Sequence, residues 1–406
     1  MDSSPPKKNS LSRRLTLFIA SSLIASISIS IHLTITITTT TRDGFSMPIT
    51  RTCDTCSNNR SALVSQLMNQ PRLINRPAAA TTEVANDVDV IARFIIGDGD
   101  EHAEVELVVD TGSEILWSLN KSPQGRLTCK KSKSLFCHDP RFRQEYGGGL
   151  HTEGFLVRDK ILLRTLRGPL LDLGEITFGC NYLAVGDDQT KGIIGLSRGP
   201  LSLIQQLGIL RFSHCIPQPG KTGALRFGSH AIIDEGSITP FTLVSQRYPF
   251  YYIGVRSITV GNTRLNMPND IFRLKAHGRG GFIVDSGTWF TRLISPVFHL
   301  LVEEVRHQMM MLGFTISPGT GSRCYKKPRD EISKLPTVKF RFNPNVIVVL
   351  GADQVFRMKP SVICLAFSEE TEQDGISIFG AFQMTNYEVG YDIVRGVSFK
   401  PKECSL

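Results

Sequence analysis

Two short stretches hold residues that can do chemistry: "ELVVDTGSEI" at 106–115 and "GFIVDSGTWF" at 281–290. Each is an apolar β-type run ending in Asp, followed by Thr or Ser, Gly, and Ser or Thr. Each is also followed downstream by two apolar residues and a glycine: Ile193-Ile194-Gly195 in the first half and Ile378-Phe379-Gly380 in the second. A single Asp-Thr-Gly is an ordinary turn. A doubled unit points instead to two homologous halves that bring Asp110 and Asp285 together at a pseudo-two-fold axis. Two carboxyls within hydrogen-bonding range cannot both ionise, so they share a proton and titrate as a unit. The ionised member can take a proton from a water lying between them, while the protonated member donates to a carbonyl oxygen. That is general acid–base hydrolysis without metal, cofactor or covalent intermediate. The sequence has no H-E-x-x-H and no G-x-x-x-x-G-K-[ST] to offer metal-dependent proteolysis or nucleotide chemistry.

The flanking residues suit that role. Gly112 and Gly287 let the backbone fold tightly, so that amides reach the carboxylates. Ser113 and Thr288 place a hydroxyl three residues after each Asp, able to donate to its outer oxygen. Thr111 and Ser286 are positioned to bond across to the opposite half and lock the pair.

Positioning such turns needs strands, and strands dominate the sequence from "VDVIARFIIGDG" onward. Short Val/Ile/Leu/Phe runs recur between turn clusters, supplied by 35 Gly and 21 Pro, which argues a mainly β protein. The clearest helix is "SPVFHLLVEEVRHQMMML" (295–312), with Ser295 as N-cap, Pro296 in the first turn, Gly313 as stop and its methionines as core packing.

With 406 residues, 41% hydrophobic and 20% charged, the chain has room for a large two-lobed unit plus a leader. The +9 formal charge is uneven: residues 1–88 carry 9 Lys/Arg against 5 Asp/Glu. Basic clusters such as Lys130, Lys131 and Lys133 lack interleaved aromatics and read as solvated loops, so nucleic acid is not expected as a partner. Lys7, Lys8, Arg13 and Arg14 precede a run from Leu15 to Thr41 free of Asp, Glu, Lys and Arg. That pattern fits a secretory signal peptide leading to secretion or the vacuole. A retained signal anchor and a Ser/Thr-rich plastid transit peptide are the alternatives, and no other segment is expected to meet a membrane. Nine cysteines agree with an oxidising compartment. Cys53-x-x-Cys56 reads as a pro-segment pair rather than a redox or half-zinc motif. The expected organisation is a signal at 1–41, a pro-segment or linker at 42–88, and β lobes at 89–238 and 239–406.

The order of motifs from about Asp89 to Cys404 resembles the pepsin-like aspartic peptidases, and within them the plant nepenthesin-like group. The resemblance is carried by "VVDTGSEILW", "QEYGGGLHTEGFLVRDKILL", "ITFGC", "KGIIGLSRGPLSLIQQLG", "RFSHCI", "FYYIGVRSITVGNTRL", "GGFIVDSGTWFTRL" and "SIFGAFQMTNYEVGYDI". It implies a bilobal, mainly β fold with one catalytic Asp per lobe and a cleft that holds an extended peptide. It also implies an aspartic endopeptidase acting on peptide or protein substrates at acidic pH, made as a precursor and working as a monomer. "EYGGGLHTEG" is similar to the family's flap over the cleft. This makes Tyr146 the flap tyrosine, Trp117 the indole that bonds to its phenol, and Gly147 and Gly148 part of the substrate-binding lid. By the same analogy the disulfides would be Cys129–Cys137, Cys324–Cys364 and Cys180–Cys404, with Cys215 free.

Several positions depart from the group's pattern. The flap usually reads Y-G-D-G-S, whereas here two polar side chains are lost in Tyr146-Gly147-Gly148-Gly149-Leu150. Gly97-Asp98-Gly99-Asp100 replaces G-T-P-P. The cysteine-rich insert is shortened to Cys129 and Cys137, and Trp289 stands where a small hydroxyl residue is usual, which would crowd the cleft beside Asp285. These changes keep a second reading open: a weak or inactive binding or inhibitor protein built on the same fold. Asn120-Lys121-Ser122 is an N-glycosylation sequon.

Overall fold

The structure, a computed structural model, describes residues 45–51, 90–97, 102–119, 133–134, 141–146, 151–165, 170–185, 192–242, 248–319, 323–326, 334–373 and 375–405. Residues 1–44, expected as a signal and the start of a pro-segment, and Cys53, Cys56, Asn120, Cys129, Cys137, Gly147 and Gly148 lie outside these residues.

Strands dominate the described residues, as the turn spacing predicts. The strand Ala103–Asp110 ends on the first catalytic-type Asp and is buried along its last four residues. It runs parallel to Gly192–Gly195, with Val108 beside Ile193, Val109 beside Ile194 and Asp110 beside Gly195. The second half repeats the arrangement: Phe282–Val284 runs parallel to Ser377–Phe379, with Ile283 beside Ile378 and Val284 beside Phe379. The downstream apolar-apolar-Gly units are therefore the parallel neighbours of the Asp strands. Backbone crosses tightly there, since a Cβ on Gly195 would sit 2.3 Å from the Glu114 carbonyl oxygen.

The two halves are joined by a shared sheet. Ile238–Pro240, Gly396–Pro401, Tyr387–Asp392, Arg211–Cys215 and Thr222–Phe227 are neighbours in that order, and the sheet continues into the strands of the first half. Phe45–Arg51, within the expected pro-segment, is a strand of this sheet, antiparallel to both Thr222–Phe227 and Val90–Ile96. The second half adds three four-stranded sheets among the described residues. One main core runs through both halves, and two smaller apolar clusters flank the Asp strands. Val108, Ile115, Trp117, Tyr146 and Ile193 form one of these, and Phe250, Tyr252, Ile283, Ile376 and Ile378 form the other. Val108 and Ile283 each lie two residues before an Asp, so the clusters obey the same pseudo-symmetry as the turns.

Three sequence expectations need correction. The helix Ser295–Met311 has Ile294, not Ser295, at its N-cap. The Ser295 hydroxyl instead donates to Glu369 Oε1 (2.7 Å) on the neighbouring strand, so it ties the helix to the sheet instead of capping it. Of the methionines only Met309 is core; Met310 and Met311 are exposed, because the apolar face of the helix has rotated past them. Among the described residues the disulfides include Cys324–Cys364, as analogy implied, and Cys215–Cys404, so Cys215 is not free and Cys404 does not pair with Cys180. The reason is register: Cys215 ends a strand paired with Tyr387–Asp392, whose hairpin partner Gly396–Pro401 delivers Cys404 to that same end. Cys180 is also disulfide-bonded.

Candidate active site

The two Asp-Thr/Ser-Gly turns meet face to face in the interior. Asp110, Thr111, Ser113, Asp285, Ser286 and Thr288 are all buried. The Thr111 amide donates to Ser286 Oγ (3.2 Å), and the Ser286 amide donates to Thr111 Oγ1 (3.0 Å). The hydroxyls then donate onward across the axis, Ser286 Oγ to the Val109 carbonyl (2.7 Å) and Thr111 Oγ1 to the Val284 carbonyl (3.4 Å). Four hydrogen bonds thus cross between the halves at the dyad and lock it.

Within each turn, the glycine amide reaches back to its Asp: Gly112 N–H to Asp110 Oδ1 (2.8 Å) and Gly287 N–H to Asp285 Oδ1 (2.9 Å). Each glycine also packs on the opposite carboxylate. A Cβ on Gly112 would lie 2.6 Å from Asp285 Cγ, and one on Gly287 would lie 2.2 Å from Asp110 Oδ1. Only a residue without a side chain lets the carboxyls approach this closely.

The hydroxyl supports are not symmetric. Thr288 Oγ1 donates to Asp285 Oδ2 (2.7 Å), whereas the Ser113 hydroxyl, buried beside Asp110, makes no bond of that quality and opposes the rise in the Asp110 pKa less than burial and the Asp285 charge promote it. Burial raises the pKa of both carboxyls. Asp110 is pushed well above the ordinary value, by burial and then by the charge of Asp285. For Asp285 the rise from burial is opposed by the Thr288 hydroxyl, a hydrogen bond from Asp110 and backbone amides. The Thr288 bond makes Asp285 the better-stabilised anion, so the shared proton favours Asp110.

Trp117 Nε1–H donates to the Tyr146 hydroxyl (2.5 Å), with ring centroids 6.4 Å apart. Tyr146 directly follows the strand Arg141–Glu145, which pairs antiparallel with His151–Arg164. Burial holds the Tyr146 phenol well above its usual pKa, and Asp110 adds to the rise whenever it is ionised, which keeps the phenol a neutral hydrogen-bond donor. Replacing Trp117 with Phe leaves the phenol oxygen without this donor while retaining an aromatic ring. The expected result is a fall in kcat/KM of roughly tenfold, the scale of one buried hydrogen bond left unmet, measured on a fluorogenic peptide. An unchanged value would remove Trp117 from the machinery.

Trp289 does not crowd the cleft. Its indole is buried in the core of the second half, edge-to-face against Phe382 with centroids 5.4 Å apart. Sequence reasoning also passed over Gly195-Leu196-Ser197-Arg198-Gly199, which has the G-x-S-x-G spelling of a hydrolase nucleophile turn. Ser197 is fully buried and its hydroxyl accepts the Gly199 amide (3.3 Å), so the segment is structural. A second omission is the buried pair His214 and Tyr391 beneath the dyad, linked at 3.2 Å. Its only sequence sign is a histidine inside the short β run Arg211–Cys215. Among the described residues no group of three or more His, Cys, Asp or Glu is placed to hold a metal ion, and no helix is long and apolar enough to cross a membrane.

The site geometry agrees with sequence and fold similarity. Residues 121–229 match the family model described as xylanase inhibitor N-terminal, and residues 250–400 match the one described as xylanase inhibitor C-terminal. The aspartic proteinase nepenthesin-2 of Nepenthes gracilis is 29% identical over 357 residues, covering 80% of each chain. The aspartyl protease AED1 of Arabidopsis thaliana is 30% identical over 341 residues, covering 76% of this chain and 71% of its own. Among solved structures, conglutin gamma, a basic 7S globulin from lupine seeds, superposes with a TM-score of 0.64 at 17% identity, covering 89% of this chain and 95% of its own. Basic 7S globulin from soybean gives 0.62 at 19%, covering 78% and 93%. With two Asp turns clamped across a two-lobed β fold, and relatives named as aspartic proteases over most of its length, the chain belongs to the pepsin-like aspartic peptidase family, in its plant nepenthesin-like group.

Proposed function

We propose that the protein is an active aspartic endopeptidase, with Asp285 as general base and Asp110 as general acid. The observation that carries this is the asymmetric dyad: two buried carboxyls in hydrogen-bonding range, one held by a 2.7 Å hydroxyl bond and the other less firmly supported. Asp285 takes a proton from the attacking water, and Asp110 donates its proton to the scissile carbonyl oxygen as the tetrahedral centre forms. Proton return to the amine completes hydrolysis. Tyr146, with Gly147 and Gly148 beyond it, serves as the lid that closes on the peptide. Disulfide bonding supports entry into the secretory pathway, with residues 1–41 as signal and the lobes meeting near residue 238.

The test is cleavage of a denatured protein substrate at about pH 3–5, with and without a peptide that mimics the tetrahedral intermediate. Inhibitor-sensitive cleavage is expected. A binding or inhibitor protein is the second reading, favoured by the loss of two polar flap side chains in Tyr146-Gly147-Gly148-Gly149-Leu150 and by the description of the matching family models. Tight binding of the inhibitor peptide without turnover at any pH would establish that reading instead.

A further inference from the structure

Tyr251 is fully buried and holds both arms of the dyad. Its backbone belongs to the second half, where residues 251–253 run antiparallel to the strand that leads into Asp285. Tyr252 bridges to Ile283, Ile253 N–H donates to the Phe282 carbonyl (2.9 Å), and Val284 N–H donates to the Tyr251 carbonyl (3.2 Å). Val284 is the residue immediately before Asp285. The Tyr251 side chain crosses to the first half, where its hydroxyl donates to the Leu196 carbonyl (2.6 Å). Leu196 in turn donates its amide to the Asp110 carbonyl (2.8 Å), and Ser197 N–H donates to the Ser113 carbonyl (3.0 Å). Three hydrogen bonds, joined by the covalent frames of Tyr251 and Leu196, therefore run from Val284 to Asp110. A parallel link lies two residues away: Arg198 N–H donates to the Pro249 carbonyl (2.8 Å), and the Arg198 guanidinium sits 4.9 Å from the centre of the Phe241 ring.

The ring itself has no need of the hydroxyl. It packs among Phe212, Phe241 and Tyr391, with centroids 6.1, 5.8 and 4.8 Å away, where phenylalanine would fit as well. A buried hydroxyl costs stability unless it is bonded, so its presence points to the bond it makes. A carbonyl oxygen only accepts, so the phenol proton is committed to Leu196. Burial pushes the phenol well above its ordinary pKa, which keeps that donor neutral. The clamp of Thr111 and Ser286 holds the tips of the two turns. Turns joined only at their tips could still rock about that line and change the distance between the carboxyls. A link from Val284 to Asp110, outside the tips, removes that freedom.

We infer that Tyr251 is a positioning residue for the catalytic pair: its carbonyl holds the strand that leads into Asp285, its hydroxyl holds the segment bonded to Asp110, and together they set the separation of the two carboxyls. The kinetic consequence rests on the peptidase reading, but the hydrogen-bonded link between the halves does not.

Two measurements on the full chain test this. In the first, kcat and KM are compared for wild type, Tyr251→Phe and Tyr387→Phe. Tyr387 is a matched control, since its buried hydroxyl also donates to a backbone carbonyl, that of Val349 (2.8 Å), on a strand that carries neither Asp. Tyr251→Phe is expected to lower kcat roughly tenfold with KM within about twofold, the scale of one buried carbonyl left unmet in the positioning frame. Tyr387→Phe should keep kcat within about twofold of wild type. Replacing Tyr251 by p-aminophenylalanine, which keeps an N–H donor in the same place, should recover part of the loss. An unchanged kcat in Tyr251→Phe, an equal loss in Tyr387→Phe, or no recovery with the N–H donor would overturn the inference.

In the second, backbone hydrogen exchange of wild type and Tyr251→Phe is followed by mass spectrometry, which reads the link even if wild type shows no turnover. Exchange should quicken about tenfold in both 192–199 and 281–287, one stretch from each half, while 338–350 keeps its wild-type rate. A change in one stretch alone, a uniform change across the second half, or no change would overturn the inference independently of the peptidase reading.

Discussion

Asp110→Asn is expected to reduce kcat by about 10²- to 10⁴-fold, the range of a lost general acid, and to make the folded protein more stable near neutral pH. Asp285→Asn should do the same through loss of the base. The two effects have one source. Burial, with the charge of its partner, raises the Asp110 carboxyl above its ordinary value, so the folded state binds the proton more tightly than the unfolded chain does. A raised carboxyl contributes stability that is fully present below the unfolded pKa and is lost as pH rises through the folded pKa. An amide has no such dependence. At pH 7 the Asn variant should therefore gain about 1.4 kcal/mol for each unit by which the pair's pKa is raised, while at pH 3 it should match wild type. Thermal unfolding from pH 3 to 8, alongside a peptidase assay, checks both parts. Retained activity, or a variant that is no more stable at pH 7 than wild type, would remove the proton-sharing pair from the account.

His214 acts in the opposite direction. Its pKa is depressed by burial to about 3, so it stabilises the fold above about 6.5 and withdraws that contribution as pH falls toward 3. The dyad favours acid and the imidazole favours neutrality, so wild-type stability should be greatest between the two.

Gly287→Ala is the second large effect. The added Cβ would lie 2.2 Å from Asp110 Oδ1, and the atom it meets belongs to a carboxylate already held by the Gly112 amide. Neither turn can retreat, because four hydrogen bonds across the axis hold them together. The expected outcome is destabilisation of about 1–3 kcal/mol, typical of overpacking, and loss of activity of at least a hundredfold, as for an ångström-scale misplacement of reacting groups. Denaturant unfolding and kcat measured together separate misplacement from simple unfolding. A variant that folds with wild-type stability and activity would show that the carboxyls are not in close contact.

How much of this was legible in the sequence depended on whether the information was local. The Asp turns, their parallel Ile-Ile-Gly and Ile-Phe-Gly neighbours and the crossing roles of Thr111 and Ser286 follow from a repeat that is visible along the chain. The bond between Trp117 and Tyr146 was reachable only through family resemblance, since a lone Tyr in a strand carries no sign of its partner. The cysteine pairing failed because Cys215 and Cys404 are 189 residues apart and meet only through the register of intervening strands. Ser295 had the right type for a cap, but a nearby acceptor, Glu369, competed for its hydroxyl. His214 and Tyr391 stand 177 residues apart, and no local pattern links them.

That long-range design has a consequence for how the protein is made. Thr111 meets Ser286 across 175 residues, and the strand bearing Tyr391 pairs with one that was synthesised far earlier. A chain emerging from the ribosome exposes a complete Asp110 turn long before Asp285 exists. Even with both carboxylates present, the shared sheet waits for Tyr387–Asp392 and Gly396–Pro401, close to the end of the sequence. Contacts of such high sequence separation form slowly and late. The clamp between the two Asp turns therefore forms only after the strands of the second half have been made, however early the Asp110 turn itself is complete.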